Sequence, residues 1–294
     1  MSTKIEWTHP PGFRGVTWNP VTGCSKISAG CANCYAARMA KRLAGRCGYP
    51  KEEPFAVTVH DDKIVAPLRW GNGRRVFCFV CSMGDIFHSD VPTAAVDRTF
   101  ATMALRGSRM VVRGRSIDVI DLMAIEPDIF CILTKRPRNM RQYLWAENRV
   151  YDIQWQADEM GLDGHALDLI DSQGWPLPNV WAGVSVENQR TADERIPLLL
   201  DTPAAVRFVS VEPMLGAVDL SAYLSRLSWC IVGAETGPGA RPMNLDWARS
   251  LRDQCAEAGV PFFFKQAGPK GAPIPDDLMV REWPTQVTRD AHTG

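Results

Sequence analysis

Three cysteines on one short loop have the types and spacing to do chemistry. Cys24, Cys31 and Cys34 follow C-x6-C-x2-C in a segment rich in glycine, proline and serine, TWNPVTGC through GCANCYA. Flexible glycines let three sulfurs converge on one centre, and thiolates are the ligands that iron–sulfur clusters and zinc prefer. Structural zinc sites close with four ligands, as do most electron-transfer clusters; a cluster held by three cysteines leaves one iron open to a substrate or cofactor. Zinc stays as the alternative, with its fourth ligand drawn from Cys47, His60, Cys78 or Cys81. Cys78 and Cys81 lie in a predicted strand, where a C-x2-C spacing puts them on opposite faces and makes them poor partners for one ion. Cys47, Cys131, Cys230 and Cys255 sit in apolar or helical contexts and are expected in the core.

A second constellation repeats along the chain. VSVE (184–187), VSVE (209–212) and VGAE (232–235) each end a β-rich run. Side chains alternate faces along a strand, so Ser185 with Glu187, Ser210 with Glu212 and Gly233 with Glu235 point one way and the valines the other. Polar residues also end other runs: Ser82, Met83, Gly84 and Asp85; Lys135; Lys265 and Gln266. In a barrel the valines pack under helices and the polar residues face the lumen at the C-terminal mouth, where barrel enzymes build their sites. Carboxylates facing two lysines there could bind ribose hydroxyls, an amino-acid moiety or a divalent metal.

The elements that must aim these residues alternate along the chain. Strands are predicted at 15–18, 55–60, 75–82, 129–134, 179–185, 205–210, 228–233 and 260–265. Helical periodicity lies between them: Tyr35, Met39 and Leu43 share a face, as do Val96, Phe100 and Met103; Leu220, Leu224 and Leu227; and Trp247, Leu251 and Cys255. The last helix is expected to stop at Gly259. Such alternation is the signature of parallel βα units, and eight strands are the number that closes a barrel. The expectation is an α/β protein, a (βα)8 or partial TIM-like barrel over residues 1–268, with a doubly wound open sheet as the other arrangement. Residues 107–128, basic and strand-like, and 148–177, acidic and helical, read as insertions in this single domain. Residues 269–294 read as a loosely attached extension.

Bulk composition narrows the class. The chain has 294 residues, 46% hydrophobic and 22% charged, with 33 basic and 33 acidic side chains. That balance argues against a globally basic nucleic-acid surface but leaves room for a local patch. The opening residues lack an apolar signal core, and no apolar run reaches the roughly 18 residues of a spanning helix, so a cytoplasmic protein without membrane partners is expected. Nine cysteines in such a chain read as ligands or core residues rather than a disulfide framework.

The motifs together resemble a known family. TWNPVTGC…GCANCYA, SMGDIFH, LTKRP, NVWAGVSVEN, ADERIPLLL, VRFVSVEP, IVGAETGPGARP and PFFFKQ are similar to the phage- and prophage-borne three-Cys-motif proteins, which are grouped with the radical S-adenosylmethionine (SAM) superfamily. The resemblance implies a barrel, a [4Fe–4S] cluster on Cys24, Cys31 and Cys34, SAM as a second cofactor, and an external one-electron donor. It places Ser82 to Asp85, Ser185, Glu187, Ser210 and Glu212 toward SAM, and Lys135, Glu235, Lys265 and Gln266 toward the substrate. The first cysteine gap is six where most radical SAM enzymes have three, and Asn33 stands where they carry an aromatic residue. A phage setting points to a nucleic acid or nucleotide as substrate, and Arg38, Lys41 and Arg42 on one helix face fit that class. A non-catalytic metal-stapled protein binding nucleic acid or a partner is the alternative.

Overall fold

Seven of the predicted runs become one parallel sheet in the computed structural model, which describes residues 3–70, 75–106, 109–113, 116–121, 128–162, 170, 174–269 and 271–285. Its strands are β1 (Phe13–Trp18), β2 (Arg75–Val80), β3 (Ile129–Thr134), β4 (Val180–Val186), β5 (Val206–Val211), β6 (Trp229–Gly233) and β7 (Phe262–Gln266). They pair in sequential order, every pair parallel, with β1 and β7 as the two edges. The fold is therefore an open, partial barrel of βα units.

The sheet is strongly curled. Phe77 on β2 and Trp229 on β6 stand four strand intervals apart, about 19 Å in a flat sheet at ~4.8 Å per strand. Their ring centroids are 6.3 Å apart. Trp7, from the turn Glu6–Thr8, sits between them, 6.3 Å from Phe77 and 5.9 Å from Trp229. With Phe13, Trp181, Phe208 and Phe263 these rings form an apolar plug on the concave face. Val184, Val186, Val209, Val211 and Val232 point the other way, into the larger core beneath the helices. The alternation read from the sequence thus sets which face carries Ser185, Glu187, Ser210 and Glu212.

Helix α1 (Tyr35–Leu43) follows the cysteine loop at the strand ends, while the helices that cover the convex face are α2 (Thr93–Arg106), α3 (Pro137–Leu144), α4 (Arg149–Glu159), α5 (Gln189–Leu200) and α6 (Leu245–Ala258). Val96, Phe100, Met103, Leu251 and Cys255 are buried as their periodicity requires, and α6 ends on Gly259 at φ 66°. Helix α5 starts immediately after β4 through a reciprocal capping box between Asn188 and Thr191. Helix α1 departs from expectation: Ala36 and Ala40 are buried, whereas Tyr35 and Met39 are 46% and 40% exposed.

Four further expectations are corrected. Residues 55–60 do not form a barrel strand: only Thr58–Val59 is extended, antiparallel to Val21–Thr22 in a separate two-stranded ladder. Val21 and Thr22 lead into Cys24, so this segment braces the cysteine loop instead of joining the sheet. Cys78 and Cys81 do not sit on opposite faces: β2 ends at Val80, Cys81 turns to φ 55°, and both join the helix-side core. Cys47 is exposed, on a residue at φ 54°, while Cys131, Cys230 and Cys255 are buried. The described part of the C-terminal segment is docked: Phe264 N–H donates to Val280 O (2.9 Å) and Glu282 N–H to Phe262 O (3.0 Å), covering the β7 edge.

The 107–128 insertion contains an antiparallel hairpin, Arg109–Arg113 with Ser116–Asp121. In the second insertion α4 forms as predicted, while Asp163 and Asp168 lie outside the described residues. No helix among the described residues is long and apolar enough to cross a membrane.

Candidate functional site

Above the aromatic plug, at the C-terminal ends of the strands, lies a cavity of about 430 Å³. That is within the usual range for a site holding a small molecule or cofactor. Cys24, Cys31 and Cys34 border it, all three free and half-buried. Ser82, Gly84, Asp85, Lys135, Ser185, Ser210, Glu212, Glu235 and Lys265 also line it. Met83, Glu187 and Gln266 do not. Trp7, Phe79 and Leu133 supply an apolar floor, and Tyr35 a wall.

The cysteine loop is pinned from every side. At its start Gly23 N–H donates to Met83 O (3.0 Å) and Cys24 N–H to Phe55 O (3.2 Å). Gly23 and Gly84 face each other so closely that a Cβ on Gly84 would lie 2.9 Å from Gly23 O. Next along, Arg136 donates to both the carbonyl (3.3 Å) and the hydroxyl (2.7 Å) of Ser25. His88 Nδ1 accepts the Asp90 amide (3.1 Å), so its proton is on Nε2, which donates to the Ser25 hydroxyl at 2.7 Å. Ser25 thus receives two donors and keeps its own hydrogen for a third partner. At the end of the loop, Tyr35 O–H donates to Ser82 O.

Two of the strand-end glutamates belong to this scaffold. Glu187 is fully buried; it accepts from Ser28 Oγ (2.7 Å) and from Arg195 (3.3 Å), with Lys135 at 3.8 Å. A Cβ on Gly30 would lie 2.5 Å from its Oε1, so the loop passes directly over the carboxylate. Glu235 accepts from Asn33 Nδ2 (2.9 Å) and takes a bidentate pair from Arg241 (2.5 and 2.9 Å), whose other contact is Ala29 O at 2.9 Å. The Arg241 bonds, joined by that of Asn33, hold the Glu235 carboxyl down at about 2 against the effect of burial. Glu212 is different: it faces Lys265 (2.6 Å) and Gln266 Nε2 (2.8 Å), and its pair with Lys265 opens onto the cavity. Gln266 also donates to Ala234 O (2.7 Å) and stays behind the lining.

Charge at the mouth is thereby balanced toward the positive. Asp85, Glu187, Glu212 and Glu235 meet Lys135, Arg136, Arg195, Arg241 and Lys265. Burial raises the Asp85 carboxyl, opposed by hydrogen bonds from the Thr134 hydroxyl and the amides of Phe87 and Lys135. Burial and Asp85 push the Cys24 thiol up to about 11, partly offset by Arg136. For Cys31 burial acts the same way, but backbone hydrogen bonds at Ile27 and Ser28 and the charge of Lys135 outweigh it and leave the thiol below its ordinary value. Of Cys24 and Cys31, Cys31 is the more readily deprotonated for a metal.

Among the described residues, no group of three or more His, Cys, Asp or Glu is gathered as a site for a metal ion. Zinc would need its thiolates within about 2.3 Å of one centre. An iron–sulfur cluster distributes its cysteines over several irons, and three free thiols bordering one cavity fit that donor set.

The family model described as Protein of unknown function (DUF5131) matches residues 2–282. The chain belongs to that family. No curated protein and no solved structure matches it. Within this DUF5131 protein, the residues that sequence reasoning left without a role are Ser25, Ser28, Asn33, Arg195 and Arg241. Arg195 and Arg241 stand inside quoted motifs, ADERIPLLL and GPGARP, so the signal was present but not its meaning. Ser28 and Asn33 find their glutamates across 159 and 202 residues of chain, which no local pattern reveals.

Proposed function

We propose that this protein is a radical SAM enzyme, in which Cys24, Cys31 and Cys34 would ligate a [4Fe–4S] cluster and the adjoining cavity would take SAM and part of a substrate. The observation that carries the reading is the shared surface: three free thiols of one loop border the same cavity as the polar strand ends of a curled parallel sheet. The motif resemblance to three-Cys-motif proteins points the same way. Bound there, the cluster supplies one-electron reductive cleavage of SAM, with the electron from an external donor.

This chain's own residues have the remaining work. Glu187 and Glu235 fix the loop so that the sulfurs are presented together. Ser25, Ser185 and Ser210 offer hydroxyls, and Lys135 and Lys265 offer cations, to the polar parts of bound molecules. The floor of Trp7, Phe79 and Leu133 keeps water from the reacting end.

The test is anaerobic purification, reconstitution with iron and sulfide, and addition of SAM and dithionite. The expected product is 5′-deoxyadenosine, lost in Cys31→Ala. A colourless, zinc-loaded protein that yields none would overturn the proposal, as would full turnover by that variant.

A further inference from the structure

The chain is neutral overall, but its charge is not evenly spread. From Trp7 to Lys51 it contains Arg14, Lys26, Arg38, Lys41, Arg42, Arg46 and Lys51 and no Asp or Glu. This acid-free segment carries the cysteine loop and α1, one wall of the cavity. On α1, Tyr35, Met39 and Arg42 follow i, i+4, i+7 spacing and form one stripe, and Arg46 lies in the turn after the helix. Tyr35 lines the cavity; Met39 is 40% exposed, and Lys41, Arg42 and Arg46 are exposed. Among the described residues, Lys26, Lys41, Arg42 and Arg46 form no ion pair. On the cysteine loop, Lys26 and Ile27 are exposed beside the same opening.

Basic side chains on a neutral protein, unpaired and gathered on one side of a cavity, carry an attractive field for an anion there. The cavity does not oppose it, since its carboxylates are matched by Lys135, Arg136, Arg195, Arg241 and Lys265. The stripe also sets the apolar Tyr35 and Met39 beside the cation Arg42, groups suited to a strand's bases and phosphates respectively. A base entering a cavity of about 430 Å³ must leave its stack, which favours a single strand or an extruded nucleotide.

We infer that α1 and the cysteine loop form a docking surface for single-stranded nucleic acid, presenting one nucleotide to the cavity. This names the substrate class of the site and rests on the preceding reading only for the chemistry done there; binding itself needs neither SAM nor electrons.

The test is fluorescence anisotropy of the reconstituted protein with labelled single-stranded DNA, single-stranded RNA and duplex DNA across a salt series. The comparison is with the triple variant Lys41→Ala, Arg42→Ala, Arg46→Ala, whose fold is checked by circular dichroism and by SAM cleavage in the absence of substrate. The expected result is single-strand binding that weakens about tenfold or more in the variant, with the log–log salt slope reduced by about 2, as three lost phosphate contacts require. SAM cleavage stays within twofold of the parent. Absent binding, an unchanged variant, a duplex bound as tightly as a single strand, or equal binding to phosphatidylserine vesicles would each overturn the inference. Loss of 5′-deoxyadenosine with binding intact would overturn the radical SAM reading alone.

Discussion

The clamp between Glu235, Arg241 and Asn33 makes a quantitative prediction for Glu235→Gln. The carboxyl lies at about 2 against an ordinary 4.5, first because of its hydrogen bonds from Arg241. A shift of that size corresponds to about 3 kcal/mol at 1.36 kcal/mol per unit. Arg241 is 35% exposed, and screening by water reduces the figure to about 2 kcal/mol. Because the pKa is depressed in the fold, the stabilisation is complete above the unfolded value near 4.5 and disappears as pH falls toward 2. Urea unfolding of apo protein should therefore show the variant less stable by about 2 kcal/mol at neutral pH, with the gap narrowing as pH is lowered below 4.5. Iron content after reconstitution should fall in parallel, because the same carboxylate holds Asn33 between Cys31 and Cys34. A neutral-pH midpoint equal to the parent's, or a gap that stays constant down to about pH 3, would refute the reasoning.

Other substitutions probe the same scaffold. Gly30→Ala places a methyl 2.5 Å from Glu187 Oε1, a carboxylate with no room to retreat; the loop must shift, at about 1–3 kcal/mol, and iron retention should drop while the far-ultraviolet circular dichroism spectrum is unchanged. Arg195→Met leaves Glu187 fully buried with Lys135 as its nearest cation at 3.8 Å, and thermal or urea unfolding should register a loss of about 3–5 kcal/mol. Trp229→Ala empties the centre of the plug, where the ring meets Trp7, Phe77, Trp181 and Phe208; about 3–5 kcal/mol of stability should be lost, measured by urea midpoint.

Much of the barrel was legible because strand periodicity and burial are local. The Val-Ser-Val-Glu runs fix side-chain direction over a few residues, and the sheet could only bury valines on one side. The strand count was not legible at residues 55–60. FAVTVH has the composition of a strand, but its partner is Val21–Thr22, already committed to the cysteine loop. Composition cannot distinguish a sheet strand from a brace. The same limit applied to Tyr35 and Met39, whose spacing with Leu43 is that of a core face. In the fold that face borders an opening, and the small Ala36 and Ala40 make the close contact instead.

The site divides along similar lines. Periodicity could aim Glu187, Glu212 and Glu235 at one mouth, but direction is not partnership. Their cations come from different places: Arg195 from α5, Arg241 from the loop after β6, Lys265 from β7, two strands over from β5. Glu187 and Glu235 also accept from Ser28 and Asn33 of the cysteine loop, so these two carboxylates are consumed in holding it. Glu212 takes its partners from the end of β7 and from nothing on the loop, which leaves its pair with Lys265 facing the cavity. Three similar motifs therefore carry two different tasks, and the one suited to meeting a bound molecule is the one that the cysteine loop does not use.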